Sequence, residues 1–117
     1  MTKEVYGHMI KVEAVVTPDR VETVIDAVEA EAAHVGVTVV EAIGHGRRRD
    51  VSEALLTFIV PENKAQPVLE AICAAAKSGG ESGDGLVWMS SIYNVRHNRT
   101  GKPLHEYVEA GYLKAGV

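Results

Sequence analysis

Hydrophobic residues recur at every second position near the start of this chain. In the segment His8–Val16 the apolar side chains alternate with polar ones such as Lys11 and Glu13. A repeat of two puts the apolar side chains on one face of a strand, so this segment predicts a strand with one buried face. The residues expected in the core are Ile10, Val12, Ala14 and Val16.

The repeat then changes to that of a helix. The segment Thr17-Pro18-Asp19 predicts a helix start, because the hydroxyl can cap the first turn, proline fits its first position and the acid suits the positive end of the dipole. The inward residues at helical spacing are Val21, Val24, Ile25 and Val28. Gly36 is expected to end this helical region, and the β-branched segment Val37–Ile43 predicts a second strand.

The second half of the chain repeats this order of strand and helix. The near-continuous apolar segment Ala54–Val60 predicts a third strand, which Pro61 closes. Asn63 is expected to cap a second helix, with Pro67 in its first turn, where proline is tolerated. The inward residues of this helix are expected to be Val68, Leu69, Ile72 and Ala76.

The last elements are a fourth strand and a tail. Ser78 and Gly79 are expected to end the second helix, and Leu86–Ile92 predicts the strand. The tail has apolar residues at partly helical spacing, which predict a short helix after Pro103. These residues are Leu104, Tyr107, Val108 and Tyr112.

The order β-α-β-β-α-β is that of the ferredoxin-like arrangement, an α+β fold with an antiparallel sheet and both helices on one face. We expect one domain over residues 1–117, with an N-terminal extension at 1–8 and a C-terminal tail at 103–117. The face without helices is expected to be partly apolar, so self-association is expected. The residues expected on it are Val15, Val40, Ile43 and either Trp88 or Met89.

Composition and charge narrow the class of protein. The chain has 117 residues, 46% of them hydrophobic, and a formal net charge of −4, which argues against nucleic-acid binding. No apolar run reaches membrane-spanning length and the N-terminus lacks a signal-peptide pattern, so a cytoplasmic protein is expected. The single cysteine, Cys73, cannot form an intramolecular disulfide and is expected to be a small buried residue.

Three segments rich in glycine or arginine lie at the ends of predicted strands. They are Gly44–Arg49, Ser78–Gly85 and Arg96–Gly101. The middle segment has four glycines among eight residues and no apolar side chain. Closely spaced backbone N–H groups of this kind bind anions, phosphate above all, although a flexible connector is an equal alternative from the segment alone.

Other kinds of site find little support. The five histidines lack the spacing of metal ligands, so no metal site is expected. Ser90-Ser91 has no positional partner for a catalytic triad, and no paired carboxylates are placed for acid–base chemistry. We therefore expect a protein that is not an enzyme.

Four segments carry a resemblance to a known family: the path from Val37 to Arg47, Ser78-Gly79, Gly83-Asp84-Gly85 and finally Arg99-Thr100-Gly101. With these segments in this order, the chain resembles the PII signalling proteins over roughly residues 9–102. This resemblance implies a homotrimer of ferredoxin-like subunits that binds adenine nucleotides in clefts between neighbours. It also implies a T-loop after the second strand that contacts partner proteins.

The resemblance assigns roles to individual residues. Thr38 would contact the adenine. Glycines near the cleft would line the T-loop base or give backbone amides to ribose and phosphates, and Arg99 would pair with phosphate through its forked donors. The full set of implied nucleotide-binding residues is Thr38, Gly44, Gly46, Arg47, Gly83, Asp84, Gly85, His97 and Arg99.

The chain also departs from the family pattern. Leu86 and Glu53 stand where the family has lysines, and His97 stands for the first of two arginines, although Arg96 could reach in from the next position. The T-loop shrinks to about Arg47–Glu53 and has no tyrosine to be uridylylated. Because these changes remove cations that face the phosphates, we expect ADP or AMP to bind better than ATP.

These departures favour a divergent PII-like protein, close to the short-looped, carboxysome-associated and bicarbonate-linked kinds. Arg47, Arg48 and Arg49 suit bicarbonate or a small carboxylate, with a solvated arginine run as the alternative. The partner expected is a bicarbonate transporter or a carboxysome-related protein. The alternatives are a conventional nitrogen regulator of the PII family, a CutA-like trimeric metal-associated protein and a stress-responsive barrel dimer.

Overall fold

The four predicted strands and two predicted helices are present, in the predicted order, in the computed structural model of the protein. The residues it describes are 9–45, 50–77 and 85–104. The strands are β1 (Met9–Val16), β2 (Val37–His45), β3 (Asp50–Pro61) and β4 (Val87–Ser91), and the helices are α1 (Val21–Glu31) and α2 (Glu62–Ala76). The α+β, ferredoxin-like prediction is therefore confirmed. The predicted tail helix begins after Pro103, and all of it beyond Leu104 lies outside the described residues.

The strands form one antiparallel sheet in the order β2-β3-β1-β4. The central strand β1 pairs Val12 with Phe58 of β3 on one side and with Met89 of β4 on the other. Strands β2 and β4 are therefore the two edges of the sheet. This order decides which predicted site residues lie near one another.

Both helices pack on the same face of the sheet, where the alternating residues of β1 and β3 point inward. The four residues that the repeat in β1 assigns to the core are all buried, as predicted. They pack with residues of the other strands and helices into one cluster. The largest fully buried side chains are Phe58, Leu56, Ile72, Val12, Val16, Val24, Val28, Val60 and Val68.

The start of the first helix differs from its prediction. Pro18–Arg20 forms a 3-10 turn before α1, and the Thr17 hydroxyl makes no capping hydrogen bond. The Thr17 carbonyl accepts a hydrogen bond from the Arg20 amide (2.9 Å) instead, so the backbone satisfies this first turn. The helix also ends at Glu31 rather than near Gly36, because the chain leaves helical dihedral angles at Ala32.

Arg20 ties the start of α1 to the end of α2. Its Nε and Nη2 atoms donate hydrogen bonds to the Ala75 carbonyl oxygen at 3.1 and 2.7 Å. Ala75 lies in the last turn of α2, where carbonyl groups lack helical partners and a cation complements the helix dipole. This contact could not be predicted from sequence patterns, because the two residues are far apart in the chain.

The second helix begins earlier than predicted. It starts at Glu62, has Pro61 at the capping position and has no side-chain cap, so Asn63 does not cap it. Pro67 lies inside the helix rather than in its first turn. The missing Pro67 N–H would otherwise bond the carbonyl of Asn63, so the helix forms with one hydrogen bond fewer. Burial of Val68, directly after the proline, and of Ile72, one turn further on, stabilises the helix at this point.

Cys73 is exposed, so its predicted burial is wrong. The buried positions of α2 are Ala65, Val68, Ile72 and Ala76. Cys73 follows Ile72 by one residue, which is about 100° around a helix. The alanine-rich composition around it hid this rotation, because small residues fit both faces.

The hairpin of β2 and β3 is longer than predicted. Strand β3 begins at Asp50 instead of Ala54, and residues 50–53 pair with residues 42–45 of β2. The segment alternates between half-buried and exposed residues, as in a strand whose polar side chains face solvent. The connection between the two strands is therefore residues 46–49, which is shorter than the predicted loop over Arg47–Glu53.

The sheet face without helices, called the open face below, was predicted in part. Val15, Val40 and Trp88 lie on it, because their β-pairing partners alternate with buried residues. Ile43 and Met89 lie on the helix-packed side instead. Each is one residue out of phase with the open face, and a shift of one residue exchanges the two faces of a strand.

Candidate functional site

An apolar row crosses the open face from one edge strand to the other. The sheet register pairs Val40 of β2 with Leu55 of β3, and Leu55 with Val15 of β1. The Val15 amide donates a hydrogen bond to the Leu86 carbonyl (2.9 Å), which extends the row to the segment before β4. Val40 and Leu86 are 48% and 75% exposed. The open face therefore carries a continuous apolar strip.

A polar row lies beside the apolar one. It follows the register from Thr38 through Thr57 and Glu13 to Trp88. The Thr57 hydroxyl donates a hydrogen bond to Glu13 Oε2 at 2.8 Å, and the Trp88 indole donates to Glu13 Oε1 at 3.2 Å. Lys11 Nζ lies 3.6 Å from Glu13 Oε1. Glu13 is thus the centre of a polar cluster in the middle of the open face.

These contacts keep Glu13 ionised. The hydrogen bond from Thr57 is the main cause that lowers the pKa of Glu13 below its ordinary value of 4.5, and Lys11 and Trp88 act in the same direction against the effect of burial. The sequence showed only that Lys11 and Glu13 belong to the polar side of β1. Their partners became identifiable only from the register of the sheet.

Gly85 permits a close approach between the segment before β4 and strand β1. Its φ is +85°, a conformation that L side chains rarely adopt, and a Cβ atom there would collide with the Val15 carbonyl oxygen. Glycine is therefore required at this position. Of the predicted group Gly83, Asp84 and Gly85, only Gly85 belongs to the described residues.

Gly44 lies beneath a carboxylate at the base of the hairpin. It pairs with Val51, and a Cβ atom at Gly44 would meet the carboxylate of Glu53. The Glu53 side chain therefore extends across the position predicted for the cleft. A negative charge stands where the resemblance had implied a positive one.

The neck of the hairpin is closed by a pair of polar side chains. His45 Nδ1 lies 2.7 Å from Asp50 Oδ1, and both side chains are exposed. The pair joins the last residue of β2 to the first residue of β3. The predicted residues Gly46, Arg47, Arg48 and Arg49 follow it and lie outside the described residues, as do Gly83 and Asp84.

The segment after β4 folds into a turn that Arg96 holds together. Arg96 forms a β-bridge with Pro103, and its side chain donates to Asn94 Oδ1 (2.9 Å) and to the Gly101 carbonyl (2.8 Å). Two of its donor groups are thereby used within the turn. That Arg96 could also reach a phosphate stays a prediction.

His97 and Arg99 lie in this same turn. The His97 carbonyl accepts a hydrogen bond from the Gly101 amide (2.8 Å), and its ring Nδ1 accepts one from the Arg99 amide (3.3 Å). These bonds fix the backbone around Arg99, which is exposed. Arg99 is therefore available to a ligand from a defined backbone.

Among the described residues, two groups of predicted site residues lie at opposite edges of the sheet. Thr38 and Gly44 lie on β2, and Gly85 lies two residues before β4, the opposite edge strand. Three strand spacings separate the two edges, about 14 Å at ~4.8 Å each.

The described residues contain neither a metal-binding cluster nor a membrane-spanning helix. Within 9–45, 50–77 and 85–104, no group of three or more His, Cys, Asp or Glu side chains is placed to hold a metal ion. In the same part of the chain no helix has both the length and the apolarity to cross a membrane.

Comparison with known proteins gives a consistent result. The family described as "Nitrogen regulatory protein P-II" matches residues 9–102 of this chain. Nitrogen regulatory protein P-II of Nostoc punctiforme is 32% identical over 114 residues, covering 86% of this chain and 100% of that protein. Nitrogen regulatory protein P-II 2 of Methanothermobacter thermautotrophicus is 29% identical over 108 residues, covering 80% and 92%.

The fold of this chain also resembles that of a solved structure. The crystal structure of Arabidopsis thaliana PII bound to citrate superposes with a TM-score of 0.73 at 29% identity, and the match covers 82% of this chain and 88% of that one. Members of this family are regulatory proteins rather than enzymes, in agreement with the predicted absence of catalysis. The match also favours the PII interpretation over a CutA-like protein or a barrel dimer. The chain belongs to the nitrogen regulatory protein P-II family.

Proposed function

We propose that this protein is a divergent PII-like regulator that binds ADP or AMP more tightly than ATP, in clefts between the subunits of a homotrimer. The observation that carries the proposal is the separation of the candidate residues. Thr38 and Gly44 lie on one edge strand and Gly85 next to the other, about 14 Å apart at ordinary strand spacing. Neighbouring chains can bring opposite edges together, so assembly would complete the site.

The open face supports the assembly. Its apolar row (Val40, Leu55, Val15 and Leu86) leaves large hydrophobic side chains exposed in the isolated chain. Contiguous apolar surface of this kind favours burial against another subunit. Because the Glu13 carboxylate already has hydrogen-bond partners within its own chain, it can enter such an interface without becoming an unpaired charge.

The choice of nucleotide follows from the charges at the cleft. Glu53 extends over Gly44, Leu86 replaces a family lysine, and the Arg96 side chain is engaged within its own turn. Each charge-assisted hydrogen bond to a phosphate contributes roughly 1.5–3 kcal/mol, so losing such partners penalises the longest phosphate chain most. The Glu53 carboxylate also repels a γ-phosphate. The protein would then report low energy charge.

A small anion is the second proposed ligand. The connection at 46–49 contains Arg47, Arg48 and Arg49 within four residues, and three guanidinium groups beside a glycine suit bicarbonate or a small carboxylate. The related Arabidopsis protein was solved bound to citrate, which supports a small-anion site in this family. A bicarbonate-responsive regulator would act on a protein of inorganic-carbon uptake, such as a bicarbonate transporter or a carboxysome-related protein.

Isothermal calorimetry tests this proposal. ADP, AMP and ATP are titrated separately into the protein, each with and without bicarbonate, with 2-oxoglutarate as the control anion. We expect ADP or AMP to bind more tightly than ATP, and bicarbonate to change the affinity. Tighter ATP binding together with a 2-oxoglutarate response and no effect of bicarbonate would instead identify a conventional nitrogen regulator.

A further inference from the structure

The polar row of the open face ends at the β2 edge with Thr38. The sheet register places Thr38 directly opposite Thr57 of β3, and Thr57 directly opposite Glu13 of β1. Threonines that face each other across antiparallel strands are close enough for their hydroxyl groups to form a hydrogen bond. Because β2 is the edge that contributes Thr38 to the proposed nucleotide cleft, this residue is the point at which the polar row meets a ligand.

Glu13, at the centre of the row, can only accept hydrogen bonds. Its carboxylate receives one from the Thr57 hydroxyl (2.8 Å to Oε2) and one from the Trp88 indole (3.2 Å to Oε1). The third neighbour, Lys11, is also a donor, with Nζ 3.6 Å from Oε1. The Glu13 side chain is 17% exposed, and its lowered pKa keeps it ionised at neutral pH. Since an ionised carboxylate has no proton to donate, the direction of the hydrogen bond from Thr57 is fixed.

This direction carries over to Thr38. A hydroxyl group has one proton to donate and two lone pairs that accept. Because the Thr57 hydroxyl gives its proton to Glu13, it can only accept on the side of β2. A Thr38 hydroxyl that bonds to Thr57 must therefore donate its own proton, which leaves only its lone pairs for the cleft. Thr38 is exposed, so these lone pairs are open to a ligand.

The bases of purine nucleotides differ in the group that such a hydroxyl would meet. Adenine carries an amino group at position 6, which donates, whereas guanine and hypoxanthine carry a carbonyl oxygen there, which accepts. We propose that Glu13 is a positioning residue that determines base specificity: through Thr57 it holds the Thr38 hydroxyl as an acceptor, which selects adenine over 6-oxopurines. The inference rests on the proposed nucleotide site, and it concerns the choice of base rather than the number of phosphates.

The variant Glu13→Gln tests this role, because it reverses the row with little change in shape. The glutamine oxygen can keep the hydrogen bond from Trp88, which directs the amide NH₂ group toward Thr57. Thr57 then accepts from the amide and donates toward Thr38, so the Thr38 hydroxyl is free to donate into the cleft.

ADP and inosine diphosphate are titrated by isothermal calorimetry into the wild-type protein and the variant. We expect the wild-type protein to prefer ADP by about tenfold or more, because a mismatched pair of polar groups is left without a hydrogen bond. Glu13→Gln should lose this preference or bind inosine diphosphate more tightly than ADP. The ratio of the two affinities is the informative quantity, since a loosened fold or a lost negative charge changes both affinities alike.

Two further variants locate the effect in the row. Thr57→Val removes the link between Glu13 and Thr38, so the preference for ADP should shrink without a gain for inosine diphosphate. Glu41→Gln is the matched control, because it removes a carboxylate from β2 at a position that pairs with Ala54, outside the row. This control should leave the ratio of affinities unchanged. Circular dichroism shows whether each variant is folded.

The outcomes are distinct. A ratio of affinities that Glu13→Gln leaves unchanged would overturn the inference, and so would a ratio that Glu41→Gln changes equally. Wild-type protein that binds ADP and inosine diphosphate with equal affinity would overturn the inference while leaving the nucleotide cleft in place. Wild-type protein that binds neither nucleotide would refute the proposed function, and the inference with it.

Discussion

Replacing Gly85 with alanine should weaken the contact between β1 and the segment that precedes β4. The residue has φ of +85°, and the new methyl group would collide with the carbonyl oxygen of Val15, a backbone atom that cannot rotate away. Relief of the collision requires the segment to move away from β1. Such movement strains or breaks the 2.9 Å hydrogen bond between the Val15 amide and the Leu86 carbonyl.

The magnitude follows from two contributions. A left-handed conformation costs an L residue about 1–2 kcal/mol, and a backbone hydrogen bond contributes about 0.5–1.5 kcal/mol. Gly85→Ala should therefore lower the free energy of unfolding by roughly 1.5–3.5 kcal/mol, which the overall stability of a domain can absorb. At about 4 °C per kcal/mol for a chain of this size, the melting temperature should fall by roughly 6–14 °C.

Thermal and urea unfolding followed by circular dichroism provide the assay, at one fixed protein concentration because an oligomer's stability depends on it. Gly36→Ala is the matched control, since no atom lies within 4 Å of the position its Cβ would take. The control should be neutral or more stable by up to about 1 kcal/mol. Equal stabilities for the two variants would refute the reasoning about Gly85.

Three further predictions concern charged side chains. Glu53→Lys should raise the affinity for ATP, measured by calorimetry, more than the affinity for ADP. An unchanged ratio of the two affinities would contradict the proposed repulsion between Glu53 and the γ-phosphate. Glu13 has a lowered pKa in the fold, so its contribution to stability should be present above pH 4.5 and be lost as the pH falls through the lowered value. Urea unfolding at neutral and acidic pH should therefore show a smaller acid loss for Glu13→Gln, and parallel pH profiles would oppose this. Arg20→Ala should reduce the free energy of unfolding by about 1–3 kcal/mol, because the Ala75 carbonyl loses both donors. Arg20→Lys should have an intermediate stability, and full stability of the alanine variant would count against the contact.

The core of the fold could be predicted from the sequence because burial repeats with the period of each element. The alternation in β1 identified four buried residues, and the helical spacing in α1 identified Val24 and Val28. Element ends were predicted less well. Thr17 follows a common helix-start pattern, yet a 3-10 turn held by backbone hydrogen bonds precedes α1. Pro67 follows another such pattern, yet core packing lets α2 start earlier and include the proline.

The site could be predicted only as a set of glycine and arginine positions. The sequence identified Gly85 as a special residue, and the left-handed backbone against Val15 gives the physical reason. It missed the cluster around Glu13, because Thr57 and Trp88 approach that residue through strand pairing over long sequence distances. It also placed Ile43 on the wrong face, since a single residue of register separates the two faces of β2.

Native mass spectrometry of the protein with ADP tests the central claim most directly, because one spectrum reports both assembly and ligand. Each chain has a mass of 12.6 kDa. We expect a species of three chains that carries up to one ADP per chain and that retains ADP in preference to ATP when both nucleotides are present at equal concentration. A monomer, or a trimer that retains no ADP, would contradict the proposal that nucleotides bind between subunits.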